Sequence, residues 1–275
     1  MTHEGFATKG ELARAMILRV LASSLPIAWV TGDCAYGQEW RMRRTLEEAG
    51  VGYVLAVPKS QQLHAPFARI DHAIAQAPPD AWERMSCGDG AKRPRVYNWA
   101  TARLPAIDVF DGDTPTHQRW MLARRRLTRT DEIAYYLAYA PNGTTVADLV
   151  RVAGSRWAIE EAFQAAKNEC GLDQYEVRRY PGWYRHITLA MLAHAFLTAL
   201  AAQTTEKGGS RNDTTSTIPI TVAEVRRLLD VLLPHPRPDN DPIAHALNWS
   251  HWRRHHQATA RRCHYRRRTS SRNDF

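Results

Sequence analysis

Residues 155–168 read SRWAIEEAFQAAKN, two adjacent glutamates with an arginine before them and a lysine after. On an α-helix at about 100° per residue, with Arg156 set at zero, Glu160 falls near +40°, Phe163 near −20° and Lys167 near +20°. Those four form one narrow stripe, and Glu161 lies about 100° away from Glu160, outside it. Ala158, Ile159, Ala162, Ala165 and Ala166 occupy the far side, small and apolar enough to be expected against a sheet. A carboxylate one turn after an arginine and two turns before a lysine has two readings. In one, Arg156 and Glu160 form an i,i+4 ion pair on a solvated face, worth a few tenths of a kcal/mol. In the other, the carboxylate holds a hard metal ion while the cations grip phosphates on either side of a reacting bond. Spacing alone does not lift the second reading above the first.

A second acid stands at Asp33, in PIAWVTGDCAYG. Ile27–Val30 reads as a short apolar strand that breaks at Gly32 and delivers Asp33 at its carboxyl end. Before it, KGELARAMILRVLASS predicts a helix with Leu12, Met16, Val20 and Leu21 near one face. After it, QEWRMRRTLEEAG predicts a helix ending at Gly50, and VGYVLAVP a buried strand. These make a β-α-β unit with a parallel strand pair. Ligands of open α/β sheets bind beyond the carboxyl ends of the strands, where Asp33 sits. Gly-Asp is equally ordinary turn chemistry, so Asp33 reads as a turn residue or as a site residue.

From Pro58 to about Gly143 the texture changes to short segments broken by Pro, Gly and Asp. RVYNWATARL and EIAYYLAYAP alternate as antiparallel strands do, which predicts a β-rich insertion. Its ARRRLTR run suits a phosphate groove or an exposed strand face. The chain then turns helical through Glu160 and again through the apolar WYRHITLAMLAHAFLTALAAQ. The segment TTEKGGSRNDTTSTIP reads as a polar linker, and TVAEVRRLLDVLLP as a short helix that opens on a Thr cap. Trp183, Tyr184 and Tyr180 are read as packing residues, with stacking on a base as the alternative. His186 and His194 read as core or boundary histidines. His251 and His255 have a spacing that can present two metal ligands, but no third ligand at a fixed offset accompanies them.

With 37 basic and 28 acidic residues, the 275-residue chain carries a formal charge of +9 and a pI near 9.6. That favours a polyanionic partner. Of the 37 bases 32 are arginine, whose planar fork suits bidentate phosphate contacts, although a GC-rich genome produces the same bias. The eight arginines of residues 253–272, interleaved with Trp252 and Tyr265, are the strongest electrostatic feature. Such a segment binds nucleic acid through counterion release, with strong salt dependence and little sequence preference. The four cysteines form no C-x-x-C pair, which predicts a reduced, cytosolic setting. No apolar run reads as long enough to span a bilayer, so no membrane partner is expected.

The pattern R-x3-E-x6-K after a G-D-x-x-Y-G strand end, with a β-rich stretch between, resembles the DDE transposases of bacterial insertion elements. More narrowly it is similar to the subgroup with the Y-R-E-K signature and a ribonuclease-H-like catalytic domain. VTGDCAYG, AGSRWAIEEAFQAAKNECGLDQYEVR and WSHWRRHHQATARRCHYRRR fall in the order expected of that family. The resemblance implies that Asp33 and Glu160 are the second and third acids of a catalytic triad and ligands of Mg2+ or Mn2+. It implies that Arg156 and Lys167 hold DNA phosphates, and that the chain cleaves and joins DNA at element ends and target, as a homo-oligomer in the DNA complex, associated with the nucleoid. Arg253, Arg254, Arg261, Arg262, Arg266, Arg267 and Arg268 are the expected DNA contacts of the basic tail.

Two features depart from the family. The signature tyrosine would fall where this chain has Ala153. No aspartate precedes Asp33, whereas the family's first acid lies on an earlier strand. The expectation is therefore an amino-terminally truncated copy, a partial ribonuclease-H-like α/β domain that binds metal weakly and carries out little strand transfer alone. The competing expectation is a catalytically inactive DNA-binding remnant, or a regulator of full-length transposase. The expected organisation is core residues 1–57, a β-rich insertion at 58–143, core helices at 144–203, a linker at 204–220, and a helix with basic tail at 221–275.

Overall fold

The computed structural model describes residues 6–63, 69–90, 94–105, 115–176, 179–207, 219–233 and 242–270. The chain divides into two compact units, Met1–Ala158 and Ile159–Phe275.

The first unit is built on a six-stranded mixed sheet. Strand β1 (Trp29–Gly32) pairs in parallel with β2 (Gly52–Val57), as the β-α-β pattern predicts. The later strands β3 (Glu83–Asp89), β4 (Pro94–Leu104), β5 (His117–Arg125) and β6 (Ile133–Pro141) form an antiparallel array in the order β1-β2-β6-β5-β4-β3. The β-rich stretch therefore extends the same sheet: β6 docks on β2, with Tyr53 opposite Tyr139 and Leu55 opposite Leu137. This mixed α/β arrangement with its parallel pair is consistent with a ribonuclease-H-like fold.

Side chains alternate across the sheet and create two cores. On one face Tyr53, Leu55, Val57, Met121, Leu137 and Tyr139 pack with Met42 and Leu46 of α3 (Trp40–Glu48) and Ile70 and Ile74 of α4 (Ile70–Ala75). On the other, Val54, Trp99, Leu122, Tyr136 and Ala138 pack with Leu149, Val150, Val152 and Ala153 of α5 (Val146–Ser155). α5 opens with a reciprocal cap in which the Asp148 amide donates to Thr145 Oγ1 and the Thr145 amide to Asp148 Oδ2. It then comes against the β3 backbone at Gly154, where a Cβ would lie 1.7 Å from the Cys87 carbonyl oxygen.

Helix α1 (Lys9–Leu21) forms where expected, also with a reciprocal Thr8–Glu11 cap. Its core-facing residues differ from the expected face. Ala13, Ile17 and Leu21 pack on the first core, while Leu12 and Met16 are more than half exposed. Helical spacing found the periodicity but could not say which of two adjacent apolar stripes has a partner.

The second unit holds most of α6 (Trp157–Cys170), with α7 (Tyr180–Lys207), α8 (Val222–Leu232) and α9 (Pro242–Ser270). α8 packs against α7 and α9. Thr221 caps α8 by accepting from the Glu224 amide at 3.3 Å, and the buried Glu224 carboxylate accepts from the Ser250 hydroxyl of α9. His186 contacts the Gly171 carbonyl at 3.0 Å through Nε2, a structural role as expected.

Three expectations for this unit are corrected. On α6 Ala166 is the one buried residue, and Ala158 and Ile159 are exposed, so most of the alanine-rich side is not sealed in a core. Tyr180, Trp183 and Tyr184 stack on one another at the surface instead of packing inside. Tyr180–Thr204 has the length and mean hydropathy, 1.5, of a membrane-crossing helix by composition alone, and 17% of that window is buried. Arg185, His186 and His194 interrupt the apolar run, which hides its average in a reading of contiguous stretches. The linker expected at 204–220 falls mainly on 208–218, outside the described residues.

Candidate active-site cleft

β1 ends at Gly32, and Asp33 follows as the N-cap of the short helix α2 (Cys34–Gly37). Its Oδ1 accepts from the Ala35 amide at 2.9 Å. Asp33 makes the turn, and the turn fixes its carboxylate at the carboxyl end of a parallel strand. With Oδ1 engaged by the cap, Oδ2 accepts no backbone hydrogen bond among the described residues and is an oxygen available to a ligand. Gly37 is required four residues on, because a Cβ there would lie 2.0 Å from the Ala56 carbonyl oxygen of β2.

Asp33 lines a cleft of about 470 Å3 in the first unit, together with Lys59, Arg124, Asp131, Arg156 and Trp157. Each arrives by a different route. Lys59 follows the end of β2, Arg124 is on β5, and Asp131 is in the turn before β6. Arg156 is the C-cap of α5, and Trp157 opens α6. Ala153 also lines the cleft. Sequence reasoning placed Asp33 and Arg156 in one site, and the structure puts both on this cleft. It missed Lys59, Asp131 and Trp157 as cleft residues, for which the only local signals were a lysine after a strand end and an isolated aromatic.

The ARRRLTR run divides by strand alternation. Arg124 turns to the α5 face, with its guanidinium carbon 4.6 Å from the Tyr97 ring centroid, 4.8 Å from that of Trp157 and 5.9 Å from that of Tyr136. Arg125 turns to the opposite face, 3.9 Å over Trp82. Arg126 and Arg129 both pair with Glu132 at the surface. Tyr97 and Trp157 are themselves stacked at 6.0 Å with nearly parallel planes. Burial pushes the Tyr136 phenol above its ordinary range, opposed by the nearby charge of Arg124. Burial likewise raises the Cys87 thiol.

A larger cleft of about 640 Å3 opens on the other sheet face. Glu47 is its polar centre, accepting from Tyr53 Oη at 2.7 Å and from Arg119 Nε at 3.1 Å. Arg119 is thus paired with Glu47 and Arg44 with Glu48, Arg43 donates to the Gly37 carbonyl, and the cleft contains none of the expected site residues. The smaller cleft is therefore the better candidate.

Glu160 and Lys167 lie together on α6, both exposed, in the second unit. Arg253 and Arg254 are half-buried on α9, with Arg253 5.4 Å over Trp249, and Arg261 and Arg262 are exposed. Arg266, Arg267 and Arg268 fall in the last turns of α9, past the described side chains. Among the described residues no group of three or more His, Cys, Asp or Glu is arranged to hold a metal ion. Asp33 and Asp131 nevertheless give the cleft two hard oxygen donors, which suit Mg2+ or Mn2+ in kind.

Residues 2–100 match the family model of the DDE superfamily endonucleases. The matched span includes Asp33 and stops before Arg124 and Arg156. It supports a DDE-type transposase or nuclease family, whose members act on DNA and typically use divalent metals. No curated protein matches the chain.

Proposed function

We propose that the chain works on DNA as an insertion-element transposase does, by metal-dependent cleavage and strand transfer, with Asp33 and Glu160 as its acids. The observation that carries this reading is a carboxylate fixed at the end of a parallel strand, in a cleft that also presents Lys59 and Arg156. Asp33 is held by the Ala35 amide, so its free oxygen stays aimed without a cost in side-chain entropy at the moment of reaction. Lys59 and Arg156 supply positive charge where a phosphodiester would lie, and Lys167 and the arginines of α9 are further cations for phosphates. Asp33 and Glu160 would be ligands of a Mg2+ or Mn2+ ion, which would supply Lewis-acid activation at the phosphodiester.

End-labelled DNA carrying the element ends, incubated with the purified chain and manganese, tests the reading. Cleavage or joining is expected to disappear in Asp33→Asn and Glu160→Gln, and products that survive both substitutions would refute the assignment.

A second reading is favoured by one observation: among the described residues no three carboxylates converge. On that reading the chain binds DNA without cutting it and interferes with an active transposase. It predicts DNA binding without manganese-dependent products, and a fall in the yield of a full transposase reaction as the chain is added.

A further inference from the structure

Arg124 is the cation of the cleft with the most specific setting and the least obvious purpose. Its guanidinium carbon lies over the rings of Tyr97 and Trp157, at 4.6 and 4.8 Å from their centroids, contacts to π-faces that supply no hydrogen-bond acceptor to its N–H groups. No described residue accepts a hydrogen bond from it or forms an ion pair with it, although Asp131 shares the cleft. The side chain is half-buried. A charge withdrawn from water in this way costs free energy unless an anion meets it, and a structure that needed only packing at this position would be served by an uncharged residue. The neighbouring arginines show the contrast: Arg126 and Arg129 are spent on Glu132.

We infer that Arg124 grips a phosphodiester of bound DNA through its N–H groups, in the cleft that holds Asp33, and that Tyr97 and Trp157 aim it. The ligand class follows from the geometry. A planar fork with two adjacent donors fits two oxygens of one phosphate, and Lys59 and Arg156, which line the same cleft, are further cations for the other phosphates of a nucleic-acid chain. Tyr97 and Trp157 are positioning residues. They limit the rotation of a long side chain, so less entropy is lost when the contact forms.

This inference rests on the reading of the cleft as a DNA site and is tested without metal, so that binding and cutting are read separately. Affinity for a short labelled duplex is measured in EDTA over a range of salt. Loss of one phosphate contact lowers the slope of log K against log salt by about 1, with the same loss of affinity on unrelated sequences. Arg124→Gln is expected to show both changes. Arg124→Lys, which keeps the charge, is expected to keep the slope. A folded Arg124→Gln with an unchanged slope overturns the inference even where Asp33→Asn abolishes cutting; a reduced slope sustains it even where no cutting is found. If Arg124→Gln fails to fold, the wild-type chain decides. Labelling of Arg124 by an arginine-directed dicarbonyl, read by peptide mass spectrometry, should be suppressed by DNA, and equal labelling with and without DNA refutes the contact.

Discussion

A methyl group added at Gly154 should loosen α5 from the sheet and disturb the cleft with it. Gly154 does not have a positive φ, so alanine is compatible with its backbone and gains about 1 kcal/mol of helix propensity. Space opposes this gain. The new Cβ would lie 1.7 Å from the Cys87 carbonyl oxygen and 2.7 Å from its carbon, where ordinary contact begins at 3.4 Å. The helix must therefore back away by about 1.7 Å, the difference of those two oxygen distances. The obstructing atoms are backbone of β3 and cannot rotate aside. Overpacking of this kind costs about 3 kcal/mol at the upper end of its usual range, leaving a net loss of about 2 kcal/mol. For a unit of this size that is a fall in Tm of roughly 4–8 °C. Ala153 and Arg156 flank Gly154 on the cleft side of α5, so DNA affinity should fall in the same variant. Thermal denaturation followed by circular dichroism, with duplex binding measured well below Tm, checks both. A Gly154→Ala chain as stable as wild type, or more so, would refute the close approach of α5 to β3.

Glu47→Gln leaves the partly buried Arg119 without its ion-pair partner and weakens the acceptor of Tyr53. Removing one member of such a pair costs about 3–5 kcal/mol, and the double variant with Arg119→Met should recover much of it in a urea-denaturation cycle; simple additivity would dissolve the coupling. Burial, then the neighbouring Glu47 charge, raises the Tyr53 phenol well above its ordinary value. Folded and unfolded chains are both neutral there below pH about 10. Above it the unfolded phenol ionises first, so stability should fall as pH rises, and Tyr53→Phe should flatten that fall in the urea midpoint. Ser250→Ala removes the hydroxyl that donates to the buried Glu224, with an expected cost of about 1–3 kcal/mol in the helical unit, read by the unfolding of α7–α9; no loss would mean that Glu224 finds water.

The sequence by itself determined what is local. An apolar strand broken by Gly-Asp had to end in a turn, and Asp33 both makes that turn and sits at the strand end. The spacing of Arg156, Glu160 and Lys167 predicted one helix for all three; Glu160 and Lys167 do share α6, while Arg156 stands just before it as the C-cap of α5. Strand periodicity found β4 and β6, because alternation is written into each strand's own residues. Only the tertiary structure decided what depends on partners. ARRRLTR is four equivalent arginines in the sequence. The pairing of β5 with β4 and β6 sends Arg124 toward Tyr97 and Trp157 and Arg125 toward Trp82. A one-residue slip would exchange them. The outward turn of Leu12 and Met16 beside the inward turn of Ala13 and Ile17 has the same origin. A pattern states that a face is apolar, but burial is a relation between two surfaces, and the second surface comes from chain distant in sequence.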